Sequence, residues 1–229
     1  VLKNGNNSIT LGTAGGWGAI HDRPTFSRNM ITIVHAADSK TKYSTVGALV
    51  CAGALIRYFR DTFGQVEVDT ASRLNISPYD IMNLEAEKVA PGSDGMLVLP
   101  YFMGERTPMW DPLARGVIFG ASLYHTRGHY IRSFMEGVAY GIRQCVEIAK
   151  QAGTQVNPLV TMVEGGANSR LWRQIMADVL GMPTQHVRNS LGAPVGNAIV
   201  AGVGVGAFGS YDIVNDWLSV SERHEPNEA

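Results

Sequence analysis

The chain has 229 residues, of which 45% are hydrophobic and 17% are charged, so it can bury a substantial core and is expected to form one large domain. Its formal net charge of −1 gives no electrostatic reason to expect binding to nucleic acid or to an acidic membrane surface. Cys51 and Cys145 fall in apolar helical patterns, where free thiols usually serve as small core residues, and no Cys/His spacing indicates a zinc site. Without a signal peptide, the chain is expected to be cytoplasmic, and Val1 indicates a piece of a longer polypeptide.

The first third of the chain predicts two strands followed by a helix. Residues 8–11 and 31–35 have the composition of short strands. Residues 47–63 carry apolar positions at helical spacing and end just before Gly64, so they predict a helix. The expected inner face of this helix contains five residues: Leu49, Val50, Ala54, Leu55 and Tyr58.

The middle of the chain predicts helices separated by a short strand and a long polar loop. Ser77 and Pro78 match the N-cap and first position of a second helix. Residues 96–99 form a short apolar run, and residues 100–115 form a polar loop that contains prolines. The stretch 126–152 then predicts a long helix, because its apolar positions recur every three or four residues. Those positions are 131, 134, 135, 138, 142, 145, 146 and 149.

Two pairs of polar residues invite a catalytic or metal-binding interpretation. Glu105 and Arg106 lie between a strand and two prolines, but paired charges do not establish acid–base chemistry without a known substrate position. A loop ion pair that holds the turn is the preferred interpretation. His125 and His129 are four residues apart at a helix start. With no third ligand nearby, they are interpreted as surface or capping residues rather than as a metal pair.

The most informative stretch joins an apolar run typical of a short buried strand to a helix with apolar residues at helical spacing. Between them lies the turn Gly165, Gly166 and Ala167, followed by Asn168 and Ser169 as candidates for the helix N-cap. Two glycines let a flat ligand approach the backbone, and a helix start offers N–H groups. The turn therefore suits an adenine or a phosphate. The alternative is a simple tight turn that joins strand to helix.

A second candidate for a ligand-binding turn lies near the N-terminus. Gly12 and Gly15 permit a tight turn after the first predicted strand, which can point backbone N–H groups at an anion. Thr13 adds a hydroxyl that can donate a hydrogen bond to a phosphate oxygen. The alternative is an ordinary hairpin with a surface threonine.

The apolar stretch at residues 193–209 has some features of a membrane span and of a dinucleotide-binding motif. It is shorter than the ~20 residues needed to span a bilayer, so a helix of small residues packed closely against a neighbour is the preferred interpretation. Gly204, Gly206 and Gly209 match a dinucleotide-binding G-x-G-x-x-G string. That motif requires a preceding strand, which the residues before it do not provide.

Four motifs occur in the same order in one known family and together resemble it closely. They are NSITLGTAG at residues 7–15, PYFMGERTP at residues 100–108 with its continuation to residue 116, HYIRS with MEGVAY at residues 129–140, and VEGGANSRLWRQIMADVL at residues 163–180. These motifs resemble the FGGY carbohydrate kinases, which belong to the actin-like (ribonuclease H-like) ATPase superfamily. The match covers residues 5–226 and is most similar to xylulose-kinase-like members. The resemblance implies an α/β fold, a ribonuclease H-like domain with a mixed sheet flanked by helices.

The resemblance also implies roles for particular residues. In the family a threonine that matches Thr13 contacts the transferred phosphate, and a helix glycine and the residue four positions later, here Gly53 and Arg57, face the nucleotide. A glycine inside a helix costs ~1 kcal/mol relative to alanine, so Gly53 indicates close approach either to the nucleotide or to a neighbouring helix. Arg57 stands where some relatives, such as glycerol kinase, have glutamine. The family's adenine pocket corresponds to Gly165, Gly166, Ala167, Asn168 and Ser169.

What the chain lacks follows from the same resemblance. Family members have an N-terminal half with a first phosphate loop, most sugar contacts and a catalytic Asp shortly before the segment that matches residues 7–15. Asp22 and Asp38 come after that loop, so no catalytic or metal-binding residue is expected within this chain. Residues 1–229 are therefore expected to be the C-terminal ATP-binding domain of a two-domain sugar kinase, cut at both ends and inactive alone.

The implied function is transfer of the γ-phosphate of ATP, with Mg²⁺, to a hydroxyl of a small sugar or polyol, with a xylulose-like ketose favoured. The expected partners are the protein's own N-terminal kinase domain, the carbohydrate and, as a candidate assembly, a second copy in a homodimer. One alternative is a non-catalytic actin-like nucleotide-binding or regulatory module, and another is a degenerate kinase without turnover. The kinase-like loop at residues 100–116 disfavours the first alternative.

Overall fold

A computed structural model describes residues 3–188, 192–220 and 223–227. Within these residues the chain forms a mixed sheet flanked by helices, which confirms the predicted α/β class. The strands are β1 (Asn7–Leu11), β2 (Gly15–His21), β3 (Ile31–His35), β4 (Asp38–Leu49), β5 (Leu97–Leu99), β6 (Val117–Phe119), β7 (Val160–Val163), β8 (Thr184–Arg188) and β9 (Ser219–Val220). The helices are α1 (Gly53–Phe63), α2 (Gln65–Leu74), α3 (Pro78–Glu87), α4 (Arg127–Gln151), α5 (Arg170–Leu180), α6 (Ala193–Gly204) and α7 (Val214–Trp217).

Seven strands form the main sheet, in the order β3-β4-β2-β1-β7-β8-β9, and β5 pairs with β6 in a separate sheet. The neighbours β1, β7 and β8 run parallel, and the other neighbours run antiparallel. Parallel strands bring their carboxyl ends to the same edge of a sheet, which is where open α/β sheets bind ligands. The turns that follow β1 and β7 therefore meet at one place.

Helix α4 forms the centre of the core. It contacts β2, β4, β5, α1, α3 and α5, and the eight apolar positions predicted for its inner stripe are all buried. Its caps, Thr126 and Ala152, coincide with the predicted ends. The close approach of α4 to the sheet also requires a glycine, because a Cβ at Gly47 on β4 would lie 2.6 Å from the Cβ of Cys145.

Both cysteines are core residues, as expected. Cys145 lies in α4, whereas Cys51 lies between β4 and α1 rather than in a helix. Burial raises the pKa of the Cys145 thiol to about 11, so this thiol stays neutral and unreactive at neutral pH.

The predicted helix at residues 47–63 is wrong in its first part. Residues 47–49 belong to β4, and α1 begins only at Gly53. Burial alternates along the end of β4, which is the period of a strand and not of a helix. The inner face also differs from the prediction, because Tyr58 is 42% exposed. The buried residues of α1 are Leu55, Ile56 and Phe59.

Seven of the elements described above were not predicted from the sequence: β2, β4, β6, β8, β9, α2 and α7. In β2 the three glycines Gly15, Gly16 and Gly18 hid the strand, because glycine is depleted in strands. Crowding accounts for two of them: a Cβ at Gly15 would lie 3.0 Å from the Cβ of Ala52, and one at Gly16 would lie 2.9 Å from the Thr10 hydroxyl.

Helix α6 does not pack as predicted. Ile199 is its one buried residue among those described, so most of this helix of small residues faces outward instead of lying against a neighbour. The helix ends at Gly204, which places the G-x-G-x-x-G string after a helix and not between a strand and a helix. Among the described residues no helix has the length and apolar character needed to cross a membrane.

Candidate functional site

A cavity of about 670 Å³ opens where the parallel strands β1 and β7 end, a volume in the range of small-molecule sites. Its lining comes from the turn after β1, the start of α1, one face of α3 and the turn after β7. Seven of the eight residues proposed from the sequence line this cavity. They are Thr13, Gly53, Arg57, Gly165, Gly166, Asn168 and Ser169.

The turn after β1 is bound to the first turn of α1 by main-chain hydrogen bonds. The carbonyl of Gly12 accepts from Gly53 N at 2.8 Å, and the carbonyl of Thr13 accepts from Ala52 N at 3.0 Å and from Ala54 N at 3.1 Å. A Cβ at Gly53 would lie 2.5 Å from the Gly12 carbonyl oxygen, so this close approach requires the glycine. The Thr13 side chain is exposed at the edge of the cavity.

The two glycines of the turn after β7 have different surroundings. A Cβ at Gly166 would lie 2.7 Å from Leu11 Cβ and 3.0 Å from the Trp172 ring. Gly166 is therefore required by the packing of the chain itself, which corrects the expectation that both glycines make room for a ligand. A Cβ at Gly165 would meet nothing within 4 Å, so Gly165 is the position where a ligand can approach the backbone.

Of the residues that follow these glycines, some line the cavity and others support the turn. Ala167 is 0% exposed and belongs to the core, so its proposed place in the lining is wrong. Ser169 is the N-cap of α5, as predicted, and its hydroxyl accepts from Trp172 N at 3.1 Å. Arg173, which the sequence analysis did not single out, donates from Nη1 to the carbonyls of Ala167 at 2.7 Å and Asn168 at 3.1 Å. Arg173 thereby holds the main chain of this turn in place.

One wall of the cavity was missed in the sequence analysis. Tyr79, Met82 and Asn83 on α3 line it, and Asn83 Oδ1 accepts from the Ser169 hydroxyl at 2.8 Å. Arg60 on α1 donates to the Tyr79 hydroxyl at 2.8 Å and lies 5.2 Å from the ring centroid, which ties α1 to α3. The spacing of the three residues places them on one face of a helix, a signal available once α3 was predicted.

Glu164 also lines the cavity and has an unusual backbone conformation. Its φ of 74° and ψ of 178° lie in a region restricted almost entirely to glycine, at a cost on the order of 1–3 kcal/mol. Such conformations concentrate at ligand-binding sites and are held there by the surrounding structure.

The Glu105 carboxylate is held by main-chain groups, so the expected ion pair with Arg106 is wrong. Glu105 is 3% exposed, and its Oε1 accepts from Val50 N and from Arg106 N, both at 2.8 Å. Its Oε2 is buried without a hydrogen-bond partner among the described residues. Burial raises the pKa of Glu105, and the two N–H groups and the Arg106 charge offset this effect only in part.

This pKa shift predicts a pH-dependent stability. Because the pKa of Glu105 is higher in the folded chain, its contribution to the free energy of unfolding is largest at low pH and is lost as the pH rises above about 4.3 towards the folded-state value. The variant Glu105→Gln cannot ionise. We therefore expect its free energy of unfolding to increase relative to that of the wild type as the pH rises through this range. Urea unfolding from about pH 4 to pH 8 measures the difference. A difference that does not change with pH would contradict the shift.

The two histidines at the start of α4 act as capping and surface residues, as predicted. His129 Nδ1 accepts from Thr126 N at 3.0 Å, and His129 Nε2 lies 3.0 Å from Asp94 Oδ2. His125 Nδ1 accepts from Ser122 N at 2.9 Å. Within the described residues no cluster of three or more His, Cys, Asp or Glu side chains could hold a metal ion.

Comparison with known families settles where this domain belongs. Residues 7–205 match the family described as the FGGY family of carbohydrate kinases, C-terminal domain. The chain belongs to the FGGY family. The two turns around the cavity therefore lie in a domain that matches the C-terminal domain of the FGGY family, as their motifs predicted.

Individual relatives agree with this assignment. A gluconokinase of Bacillus subtilis is 33% identical over 232 residues, which cover 100% of this chain and 44% of that protein. A xylulose kinase of Staphylococcus epidermidis is 33% identical over 81% of this chain and 35% of that protein. The crystal structure of xylulose kinase from Rhodospirillum rubrum matches with a TM-score of 0.83 and 30% identity, covering 98% of this chain and 43% of that one. The fold of the FGGY kinases is thereby confirmed, and the chain spans less than half the length of these relatives.

Proposed function

We propose that this domain binds the nucleotide of an ATP-dependent carbohydrate kinase, which transfers the γ-phosphate to a hydroxyl of a small sugar or polyol. The observation that carries the proposal is the convergence of the turns after β1 and β7 on one cavity. Seven residues proposed from the sequence line that cavity, although they come from distant parts of the chain. The names of the relatives, gluconokinase and xylulose kinase, support the same reaction class.

The lining of the cavity fits a nucleotide. Ile56, Met82 and Met135 present apolar side chains, which suit the face of a base, and the open side of Gly165 lets a flat ring lie close to the main chain. We assign the base to the region of Gly165. We assign the phosphates to the region of Thr13, because an exposed hydroxyl can donate to a phosphate oxygen.

In the proposed reaction the acceptor hydroxyl oxygen forms a bond to the γ-phosphorus while the bond from that phosphorus to the β–γ bridging oxygen breaks. ADP leaves, and the hydroxyl proton passes to a base that we place in the N-terminal half of the protein. Enzymatic phosphoryl transfer depends mostly on positioning and on stabilisation of charge. This chain's contribution is to hold the nucleotide and to place the Thr13 hydroxyl beside the transferred group.

We propose that Mg²⁺ is bound by the nucleotide phosphates together with carboxylates outside this chain. Mg²⁺ in kinases is usually held by substrate phosphates and one or two carboxylates, where it neutralises developing charge. Among the described residues, two acidic ones line the cavity: Glu164 in the turn after β7 and Asp80 in the first turn of α3. We also propose a homodimer as the assembly, to be tested by light scattering of the full-length protein.

The acceptor is proposed to be a small open-chain carbohydrate, with a xylulose-like ketose and gluconate as the leading candidates. The gluconokinase of Bacillus subtilis and the xylulose kinase of Staphylococcus epidermidis are each 33% identical to this chain over the matched residues. The assay that decides is coupled ADP release by the full-length protein with a panel of pentuloses, hexuloses, gluconate and glycerol. ATP binding without sugar-dependent ADP release from any of them would favour the alternative, a non-catalytic nucleotide-binding module.

Residues 1–229 alone are expected to phosphorylate no sugar at any ATP concentration, because the base and the sugar contacts are proposed to lie in the N-terminal half. Any nucleotide binding should be weak, since the phosphates are proposed to lie in a cleft shared by both halves. Circular dichroism establishes that the isolated domain is folded before ADP release is measured.

The matched control adds a separately expressed N-terminal half, which is expected to restore some activity when the two domains close around the substrates. Sugar-dependent ADP production by the folded domain alone would show that the proposed location of the base is wrong.

A further inference from the structure

Two side chains of the loop between β5 and β6 continue the hydrogen bonding of β4 where its neighbour β3 stops. β3 pairs with β4 only as far as Val46. Beyond that point Ala48 N donates to the Thr107 hydroxyl, and Val50 N donates to Glu105 Oε1 at 2.8 Å. N–H groups two residues apart point to the same edge of a strand. Glu105 and Thr107 therefore occupy the edge that β3 leaves open.

Ala48 and Val50 differ in whether pairing between β2 and β4 also holds their main chain. The ladder between β2 and β4 ends at Leu49, so Ala48 lies within it and Val50 lies beyond it. Two residues further on, Ala52 N donates to the Thr13 carbonyl at 3.0 Å. The carboxylate that binds Val50 thus fixes the short link between the last sheet pair and the turn at the cavity.

We propose that Glu105 is a positioning residue for the nucleotide site. By accepting from Val50 N it holds the link between β4 and α1, and through this link it holds the turn that carries Thr13. Glu105 lies outside the lining of the cavity and acts through the main chain. Its burial at 3% exposure keeps water from replacing the carboxylate as acceptor. That the turn binds the nucleotide rests on the proposed function. That Glu105 holds the turn in place rests on the hydrogen bonds alone.

Three variants of the full-length enzyme test this role. Glu105→Leu removes the acceptor, Glu105→Gln keeps an acceptor oxygen without the charge, and Thr107→Val is the matched control that removes the other acceptor on the same edge. We expect Glu105→Leu to raise the KM for ATP by about tenfold or more, because small misplacements of positioning groups have large effects. The KM for the sugar should stay within about twofold for all three variants, as should the KM for ATP of Glu105→Gln and Thr107→Val.

A readout without turnover separates this inference from the proposed function. Amide hydrogen exchange of Glu105→Leu should be faster at Ala52, Gly53 and Ala54, whose N–H groups hold the turn, and unchanged in α5. Thr107→Val should lower Tm without this local effect. If Glu105→Leu does not fold, Glu105→Asp replaces it, since the shorter side chain withdraws the oxygen from Val50 N and should change both readouts in the same direction.

The outcomes are distinct. Equal KM for ATP and equal exchange in Glu105→Leu and Thr107→Val would overturn the positioning role, as would a Glu105→Gln variant as impaired as Glu105→Leu. A wild-type enzyme that releases no ADP with any sugar would instead refute the proposed function, and the exchange data would still decide how the turn is held.

Discussion

Gly165→Val is expected to weaken ATP binding by at least about tenfold, or ~1.4 kcal/mol, while leaving the fold intact. The new side chain would project into open space within the cavity, where it would occupy the place proposed for the base. The φ of Gly165 lies outside the left-handed region, so a side chain there brings no backbone strain. Calorimetric titration of the full-length enzyme with ATP measures the loss.

Gly166→Val is the matched control for this prediction. It adds the same side chain one residue later, but its Cβ would lie 2.7 Å from Leu11 Cβ and 3.0 Å from the Trp172 ring. We expect this variant to lower Tm by several degrees through overpacking, whereas Gly165→Val should keep Tm within about 2 °C. A Gly165→Val enzyme with native circular dichroism and unchanged ATP affinity would show that the base does not lie there.

Thr13→Ala is expected to lower kcat more than it weakens ATP binding. A hydroxyl that contacts the transferred phosphate matters most as charge redistributes during transfer. The expected loss is about 1.5–3 kcal/mol, the value of a hydrogen bond to a charged group, or roughly 10- to 150-fold in kcat. The main-chain carbonyl of Thr13, and not its side chain, holds α1, so the substitution should leave the turn in place.

Thr13→Ser keeps the hydroxyl and should retain kcat within a few-fold of the wild type. Single-turnover measurements with saturating ATP and sugar separate the chemical step from binding for both variants. A Thr13→Ala enzyme with the wild-type kcat would refute the phosphate contact, whatever its affinity for ATP.

The sequence by itself determined those features whose signal is local. The buried stripe of α4 follows from apolar residues that recur along one helix, so both the extent of the helix and its inner face could be predicted. The caps Ser77 and Ser169 follow from the preference of serine for helix starts. The turns that carry Thr13 and Gly165 could be singled out because each places glycine after a short apolar run and resembles a family motif.

The tertiary structure decided everything that depends on what lies opposite a residue. Gly165 and Gly166 are indistinguishable in the sequence, yet one faces open space and the other faces Leu11 on a neighbouring strand. Glu105 lies 55 residues from Val50 in the chain, so no pattern around it could reveal that it completes the edge of β4. The sequence shows only that a position is glycine or glutamate. The role of that residue depends on the distant atoms that folding brings beside it.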